Sequence, residues 1–207
     1  MKLYYYPGAC SMAVHVAMNE LGLEYEIEKI DIKKGDNKKP EYLALNPRGQ
    51  VATLVTDDGV ITENAAIIIH LNDRYEGKLL NKSGYERAIA LQWLMFANSG
   101  LHGAYSKYMF LKKNNCPAED VLKAAEKNVQ EQWDEIERHL NQCGTSYMAG
   151  NEVTAGDIYI TVVANWDFLP SMPKFGPKTS QLLHNVSRMP SYQTAMANEG
   201  VDYKAAA

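Results

Sequence analysis

Lys2-Leu3-Tyr4-Tyr5-Tyr6-Pro7-Gly8-Ala9-Cys10-Ser11 is the stretch that decides the fold. Lys2–Tyr5 reads as a short strand, and the Pro7-Gly8 pair ends it in a turn. Ser11 can then cap a helix that runs to about Glu20 and stops at Gly22. A strand, a tight turn and a helix start therefore follow one another within ten residues, and Cys10 falls at the junction. A helix N-terminus has unpaired N–H groups and partial positive charge. Such groups favour a thiolate, whether on Cys10 or on another thiol bound there. The competing reading is a buried, inert cysteine, because free cysteine behaves as a small core residue.

Outward from this stretch the alternation continues. Glu24–Ile32 alternates polar and apolar residues and reads as a second strand. Pro40–Leu45 reads as a short helix. Val51–Thr56 and Val60–Thr62 flank Asp58-Gly59, a hairpin signal. Asn64–Arg74 has the apolar spacing of a packed helix through Ala65, Ile68, Ile69 and Leu71. The order β-α-β-α-β-β-α implies a mixed sheet covered by helices.

Strand signals stop near Ser83, which places the boundary between two halves at Glu76–Lys82. Ser83-Gly84-Tyr85-Glu86 has the form of a capping box and opens a long helix towards Phe110. Pro117 suits the first position of the next helix. Leu122, Ala125, Val129, Trp133, Ile136 and Leu140 then form one apolar face. Thr154-Ala155-Gly156-Asp157 is a further cap, with Asp157 at its third helical position. Pro170, Pro173 and Pro177 interrupt the chain before two more helices.

Composition narrows the function. The 207 residues are 46% hydrophobic and 22% charged, with net charge −4. That charge does not favour nucleic acid or an anionic membrane as partner. The basic run Lys33, Lys34, Lys38 and Lys39 is interrupted by Asp36 and reads as a solvated face. No apolar stretch is long enough for a transmembrane helix, and the first residues lack the apolar region of a signal peptide. Cys10, Cys116 and Cys143 are odd in number and widely spaced, so they read as free thiols in a reducing, cytoplasmic setting. The five histidines have no metal-ligand spacing, and no metal is expected.

Two other places carry chemistry. Glu63 and Asn64 stand where a strand gives way to a helix. Backbone N–H groups at such a start can take a ligand's carboxylate while Glu63 takes its ammonium; otherwise the pair is a plain helix cap. His102 lies within the long helix, where a histidine is more often a packing or surface residue.

Taken together these motifs resemble the bacterial beta-class glutathione S-transferases. Tyr4-Tyr5-Tyr6-Pro7-Gly8-Ala9-Cys10-Ser11 is similar to their first strand and active-site turn. Asn46-Pro47-Arg48-Gly49-Gln50-Val51 resembles their N-P-x-G-x-V loop, and Thr62-Glu63-Asn64-Ala65-Ala66-Ile67 their T-E-S-x-A-I segment. Thr154–Asp157 resembles their helical-domain cap. Three positions depart from the pattern. Ala52 stands where the family has a cis-proline, Asn64 where it has serine, and Met95 where asparagine is common.

The resemblance implies an α/β plus all-α architecture. Residues 1–78 would form a thioredoxin-like glutathione-binding domain, and 84–207 an all-helical domain bordering the electrophile site. It implies a cytoplasmic homodimeric detoxification enzyme that conjugates the glutathione thiol to small hydrophobic electrophiles, with glutathione as co-substrate. It implies that Cys10 contacts the glutathione sulfur, with His102 nearby, and that Val51 pairs with the cysteinyl part. Glu63 and Asn64 would hold the γ-glutamyl end, and Lys34 or Lys33 the glycine carboxylate. Ser99, Gly100, Leu101 and His102 would border the site, partly from a neighbouring subunit. Tyr105, Tyr108, Met109 and Trp166 would line the electrophile pocket, and Tyr5 and Ser11 are rival hydroxyl activators. Thiol–disulfide exchange or peroxide reduction through Cys10 fits the same residues, as does a non-catalytic interaction protein that keeps the fold.

Overall fold

The computed structural model describes residues 1–81 and 83–205. Lys82, at the expected boundary, and Ala206 and Ala207 of the tail lie outside the described residues. The N-terminal elements are β1 (Lys2–Tyr5), α1 (Ser11–Glu20), β2 (Glu26–Lys29), α2 (Pro40–Leu45), β3 (Thr53–Thr56), β4 (Gly59–Thr62) and α3 (Asn64–Arg74). The strands form one sheet in the order β2-β1-β3-β4. β1 and β2 are parallel, with Leu3 opposite Ile27, because the crossover through α1 returns the chain in the same direction. β3 runs antiparallel to β1, with Leu54 opposite Leu3, and the hairpin adds β4. This is the thioredoxin-like sheet domain expected from the sequence.

Several boundaries moved. The second strand covers only Glu26–Lys29, and the following residues tighten into 3-10 turns at Ile32–Lys34 and Asp36–Lys38. β2 is an edge strand with Glu26, Glu28 and Lys29 exposed, and such charges discourage pairing with another chain. Lys2 Nζ lies 3.3 Å from both Glu26 and Glu28 across the parallel pair. Cys10, not Ser11, is the N-cap of α1. Ser11 Oγ turns back instead, accepting from the Tyr6 N–H at 3.2 Å.

The helical part comprises α4 (Gly84–Met95), a π-helical turn at Phe96–Leu101, α5 (His102–Lys113), α6 (Glu119–Cys143), α7 (Ala155–Ala164), α8 (Pro177–Ser187) and α9 (Pro190–Glu199). The expected single helix to Phe110 is thus divided by a π-turn, a device frequent at functional sites. Ser83 is the N-cap of α4, but its side chain makes no capping bond, so the expected box does not close. Pro117 lies outside α6, whose N-cap is Ala118.

α7 is the centre of this half, with every residue from Ala155 to Ala164 buried. Its capping box is formed. Asp157 Oδ2 accepts from the Thr154 N–H (2.8 Å) and hydroxyl (2.7 Å), and Oδ1 accepts from the Met148 N–H (2.9 Å). Gly156 lets α4 approach closely, since a Cβ there would stand 3.0 Å from the Trp93 carbonyl carbon. α1 is buried through Ser11–Met18 because it has the sheet on one side and α7 and α9 on the other. Sheet, α1 and α7 consequently share one hydrophobic core. No helix among the described residues is long and apolar enough to cross a membrane.

Candidate active site

The turn from Tyr6 to Cys10 is fixed at the Gly8 peptide from both ends. The Gly8 N–H donates to Glu199 Oε2 at 2.9 Å, and its carbonyl accepts from Trp166 Nε1 at 2.9 Å. Glu199 is the last residue of α9 and also pairs with His15 Nδ1 of α1 at 2.8 Å. Both of these side chains are fully buried. The segment that follows α7 and the end of α9 therefore reach back to set the turn that carries Cys10.

Cys10 Sγ donates to the Val51 carbonyl at 3.4 Å. Burial pushes its thiol pKa up. Hydrogen bonds from the Asn64 side chain, the Ser11 and Cys10 backbone N–H groups and the Tyr159 hydroxyl pull it back down. Burial wins, so Cys10 is a thiol rather than the thiolate expected from its helix start. A helix terminus contributes about 0.3–1 kcal/mol in ordinary settings, and loss of water around a buried charge outweighs that.

The opposite wall is the loop from Asn46 to Ala52. Buried Asn46 donates from Nδ2 to the Gln50 carbonyl (2.8 Å) and to Thr53 Oγ1 (3.1 Å), and its Oδ1 accepts from the Arg48 N–H (3.1 Å). The Tyr42 hydroxyl also donates to the Gln50 carbonyl, at 2.6 Å. Gly49 has φ 61°, and a Cβ there would come within 2.6 Å of the Asn37 carbonyl, so the N-P-x-G spacing has a steric basis. The Val51–Ala52 peptide bond is cis, although Ala52 is not proline.

Glu63 has φ 71°, an uncommon value for a residue with a side chain. It occupies the N-cap position of α3 but makes no capping bond, so the plain-cap reading does not hold. Its carboxylate instead meets Arg48 Nη1 at 2.5 Å, with both side chains half exposed or more. Backbone held in such a sparsely populated region clusters at binding sites and ligand clamps. The Asn64 side chain turns inward, donating from Nδ2 to the Tyr159 hydroxyl at 3.0 Å.

His102 opens α5, directly after the π-turn, and its Nδ1 lies 3.0 Å from the same Tyr159 hydroxyl. Burial lowers the His102 pKa, and Glu63 raises it by a smaller amount. The imidazole is accordingly neutral near pH 7.

Other expected site residues are distributed differently. Tyr5 packs against His15, with ring centroids 6.1 Å apart, and Ser11 is bonded to the Tyr6 backbone. Neither hydroxyl has a hydrogen bond to Cys10 Sγ among the described contacts. Lys34 is exposed and lies 3.7 Å from Asp31, while the Lys33 and Lys34 N–H groups bind the Asp31 carboxylate. Ser99 Oγ donates to the Met95 carbonyl at 2.7 Å, and Gly100 packs beside Phe96. Leu101 is fully buried, so its side chain belongs to the core rather than to a site wall. Tyr105 and Tyr108 are also core residues, and the Tyr105 hydroxyl accepts from Trp133 Nε1. Of the expected electrophile pocket, Met109 is exposed and Trp166 is packed edge-on to His102 at 5.1 Å. A groove of about 510 Å³ between α5 and α6, lined in part by Phe110 and Val121, shares no residue with this set.

Sequence reasoning missed Tyr159, Glu199, His15 and Arg48. Tyr159 had a usable signal: in Ile158-Tyr159-Ile160-Thr161-Val162-Val163 a tyrosine interrupts an apolar run, and a buried phenol requires a partner.

Residues 1–73 match the family description "Glutathione S-transferase, N-terminal domain". The ternary complex of BphK, a bacterial GST, superimposes with a TM-score of 0.81 at 31% identity, covering 97% of this chain and 100% of that one. A bacterial beta-class glutathione S-transferase of Sphingomonas chungbukensis superimposes with a TM-score of 0.80 at 27% identity, covering 98% and 100%. Glutathione S-transferase GST-4.5 of Xanthomonas campestris pv. campestris is 31% identical over 172 residues, 80% of this chain and 82% of the relative. With motifs, sheet topology and both halves of the chain in agreement, this protein belongs to the glutathione S-transferase family.

Proposed function

We propose that the chain is a beta-class glutathione transferase that conjugates the glutathione thiol to small hydrophobic electrophiles. The carrying observation is the 3.4 Å contact between Cys10 Sγ and the Val51 carbonyl. It puts the sulfur position beside the backbone that would pair with the cysteinyl part of glutathione. Cys10 then acts as a neutral donor to the bound thiolate, because burial keeps it protonated. Glu63 takes the ammonium of the γ-glutamyl end, exchanging its Arg48 partner for the ligand, and the first N–H groups of α3 take the carboxylate. Lys34 reaches the glycine carboxylate.

In this reading residues 1–78 bind glutathione, and 84–207 present the electrophile near Met109 and Trp166. The protein works as a cytoplasmic homodimer in detoxification. The cysteine-bearing turn and the likeness to the beta-class structure support the class. Calorimetric titration tests the reading. Glutathione binds at millimolar concentration or tighter, and Glu63→Ala weakens binding about tenfold or more, the scale of a lost charge-assisted hydrogen bond. Absence of wild-type binding at millimolar glutathione overturns it.

A further inference from the structure

Tyr159 is fully buried in α7, and its hydroxyl meets side chains from both halves of the chain. Asn64, at the start of α3, donates to it from Nδ2 at 3.0 Å. His102, at the start of α5, brings Nδ1 to 3.0 Å from it. His102 also packs edge-on to Trp166 at 5.1 Å, and Trp166 Nε1 donates to the Gly8 carbonyl in the turn that carries Cys10. The imidazole therefore stands beside the site with one nitrogen turned inward to Tyr159. The other, Nε2, has no hydrogen bond among the described contacts. It is not one of the buried polar atoms left without a partner, so it opens to the accessible side.

Hydrogen counting decides which nitrogen carries the imidazole hydrogen. A phenol has one proton to give, and a neutral imidazole has one N–H and one acceptor nitrogen. Asn64 already supplies an N–H to the phenol oxygen, so the phenol proton must go to an acceptor. A buried donor left without one is costly. The acceptor within reach is His102 Nδ1. The Cys10 sulfur also feels this hydroxyl, but a thiol sulfur is a weak acceptor beside an imidazole nitrogen. With Nδ1 accepting, the imidazole hydrogen sits on Nε2. Burial lowers the His102 pKa and raises that of Tyr159 well above its ordinary value, so neither partner changes charge near neutral pH.

We infer that Tyr159 is a positioning residue: its O–H donates to His102 Nδ1 and fixes the ring as the Nε2–H tautomer, which presents a hydrogen-bond donor to the glutathione sulfur. The free nitrogen of a histidine is set by the bond that the other nitrogen makes. A donor aimed at a thiolate stabilises it, whereas a bare nitrogen lone pair in the same place repels it. No proton changes its heavy atom. The part played by the sulfur rests on the function proposed above. The tautomer does not, because residues of this chain set it without glutathione.

The test uses the full chain with isotope-labelled histidine. Nitrogen chemical shifts distinguish a ring N–H from a bare ring nitrogen, and His102→Leu identifies the resonances by their loss. They are read without glutathione at about pH 8, where the imidazole is neutral. The Nε2–H form is expected to be favoured about tenfold more than in a free imidazole, the scale of one buried hydrogen bond. Tyr159→Phe returns the mixture to that of a free imidazole. An Nδ1–H ring in the parent, or a mixture unmoved by Tyr159→Phe, overturns the inference. If Tyr159→Phe does not fold, a ring-fluorinated tyrosine at position 159 keeps the shape and strengthens the donor. The Nδ1 resonance must then move, and an unmoved one overturns the inference equally. Conjugation of the aryl halide chlorodinitrobenzene gives a second readout. Tyr159→Phe is expected to lower kcat about three- to tenfold with the KM for glutathione unchanged, and to cost nothing further in His102→Leu. Losses that multiply show that Tyr159 does not act through His102. A parent that neither binds nor conjugates glutathione refutes the proposed function, and the nitrogen shifts alone then decide the tautomer.

Discussion

Replacing Glu199 tests how far the last helix holds the first. Glu199→Ala leaves the Gly8 N–H and His15 Nδ1 without their acceptor, and His15 Nε2 already has no partner among the described residues. The two contacts are 2.9 and 2.8 Å long and fully dry on the His15 side. A hydrogen bond to a charged acceptor contributes about 1.5–3 kcal/mol. Breaking a buried pair by removing one partner costs about 3–5 kcal/mol, and we take that range for the whole change. For a chain of this size each kcal/mol lowers Tm by about 2–4 °C, giving a drop of roughly 6–20 °C. The carboxylate also stands in the last turn of α9, where the helix dipole disfavours it, so its presence depends on these partners. Glu199→Gln keeps an acceptor for Gly8 and is expected to lose about half as much. Urea and thermal unfolding of the two variants measure this directly. A Glu199→Ala protein within about 1 kcal/mol of the parent would refute the reasoning, since an exposed pair contributes no more than that.

Two further outcomes follow from other buried groups. Asp157→Ala removes the acceptor for the Thr154 N–H, the Thr154 hydroxyl and the Met148 N–H, and should cost roughly 2–4 kcal/mol in urea unfolding; a loss below that of an exposed cap would count against the box as a stabiliser. Because burial depresses the His102 pKa below 6.5, the unfolded chain takes up a proton there first. The contribution of neutral His102 is therefore present above that value and declines as pH falls through it. Denaturation midpoints in this pH window should fall less steeply in His102→Leu than in the parent, and parallel slopes would contradict the assignment.

Much of the fold was legible because it is written in local patterns. The Pro7-Gly8 turn, the Asp58-Gly59 hairpin and the period of Asn64–Arg74 each require only a few neighbours, and each element appears where the pattern put it. The Thr154–Asp157 cap closed as its spacing implied. The Ser83–Glu86 box, of the same hydroxyl-x-x-carboxylate form, did not close. A capping pattern states what a side chain can reach, and the surrounding packing decides whether it does.

The sequence by itself determined the order of elements, the family motifs and the place of Cys10 at a helix start. Only the tertiary structure decided how that cysteine behaves. Its helix start, read alone, argues for a thiolate; burial against the Val51 loop and α7 makes it a thiol. The groups that set this are distant in the chain: Tyr159 and Asn64 are 95 residues apart, and Glu199 and Gly8 are 191 apart. Desolvation and long-range hydrogen bonds depend on which surfaces meet, and no periodicity along the chain encodes that. The turn at Tyr6–Cys10 could be read from ten residues, but its geometry is held from Trp166, just beyond α7, and from Glu199 at the end of α9.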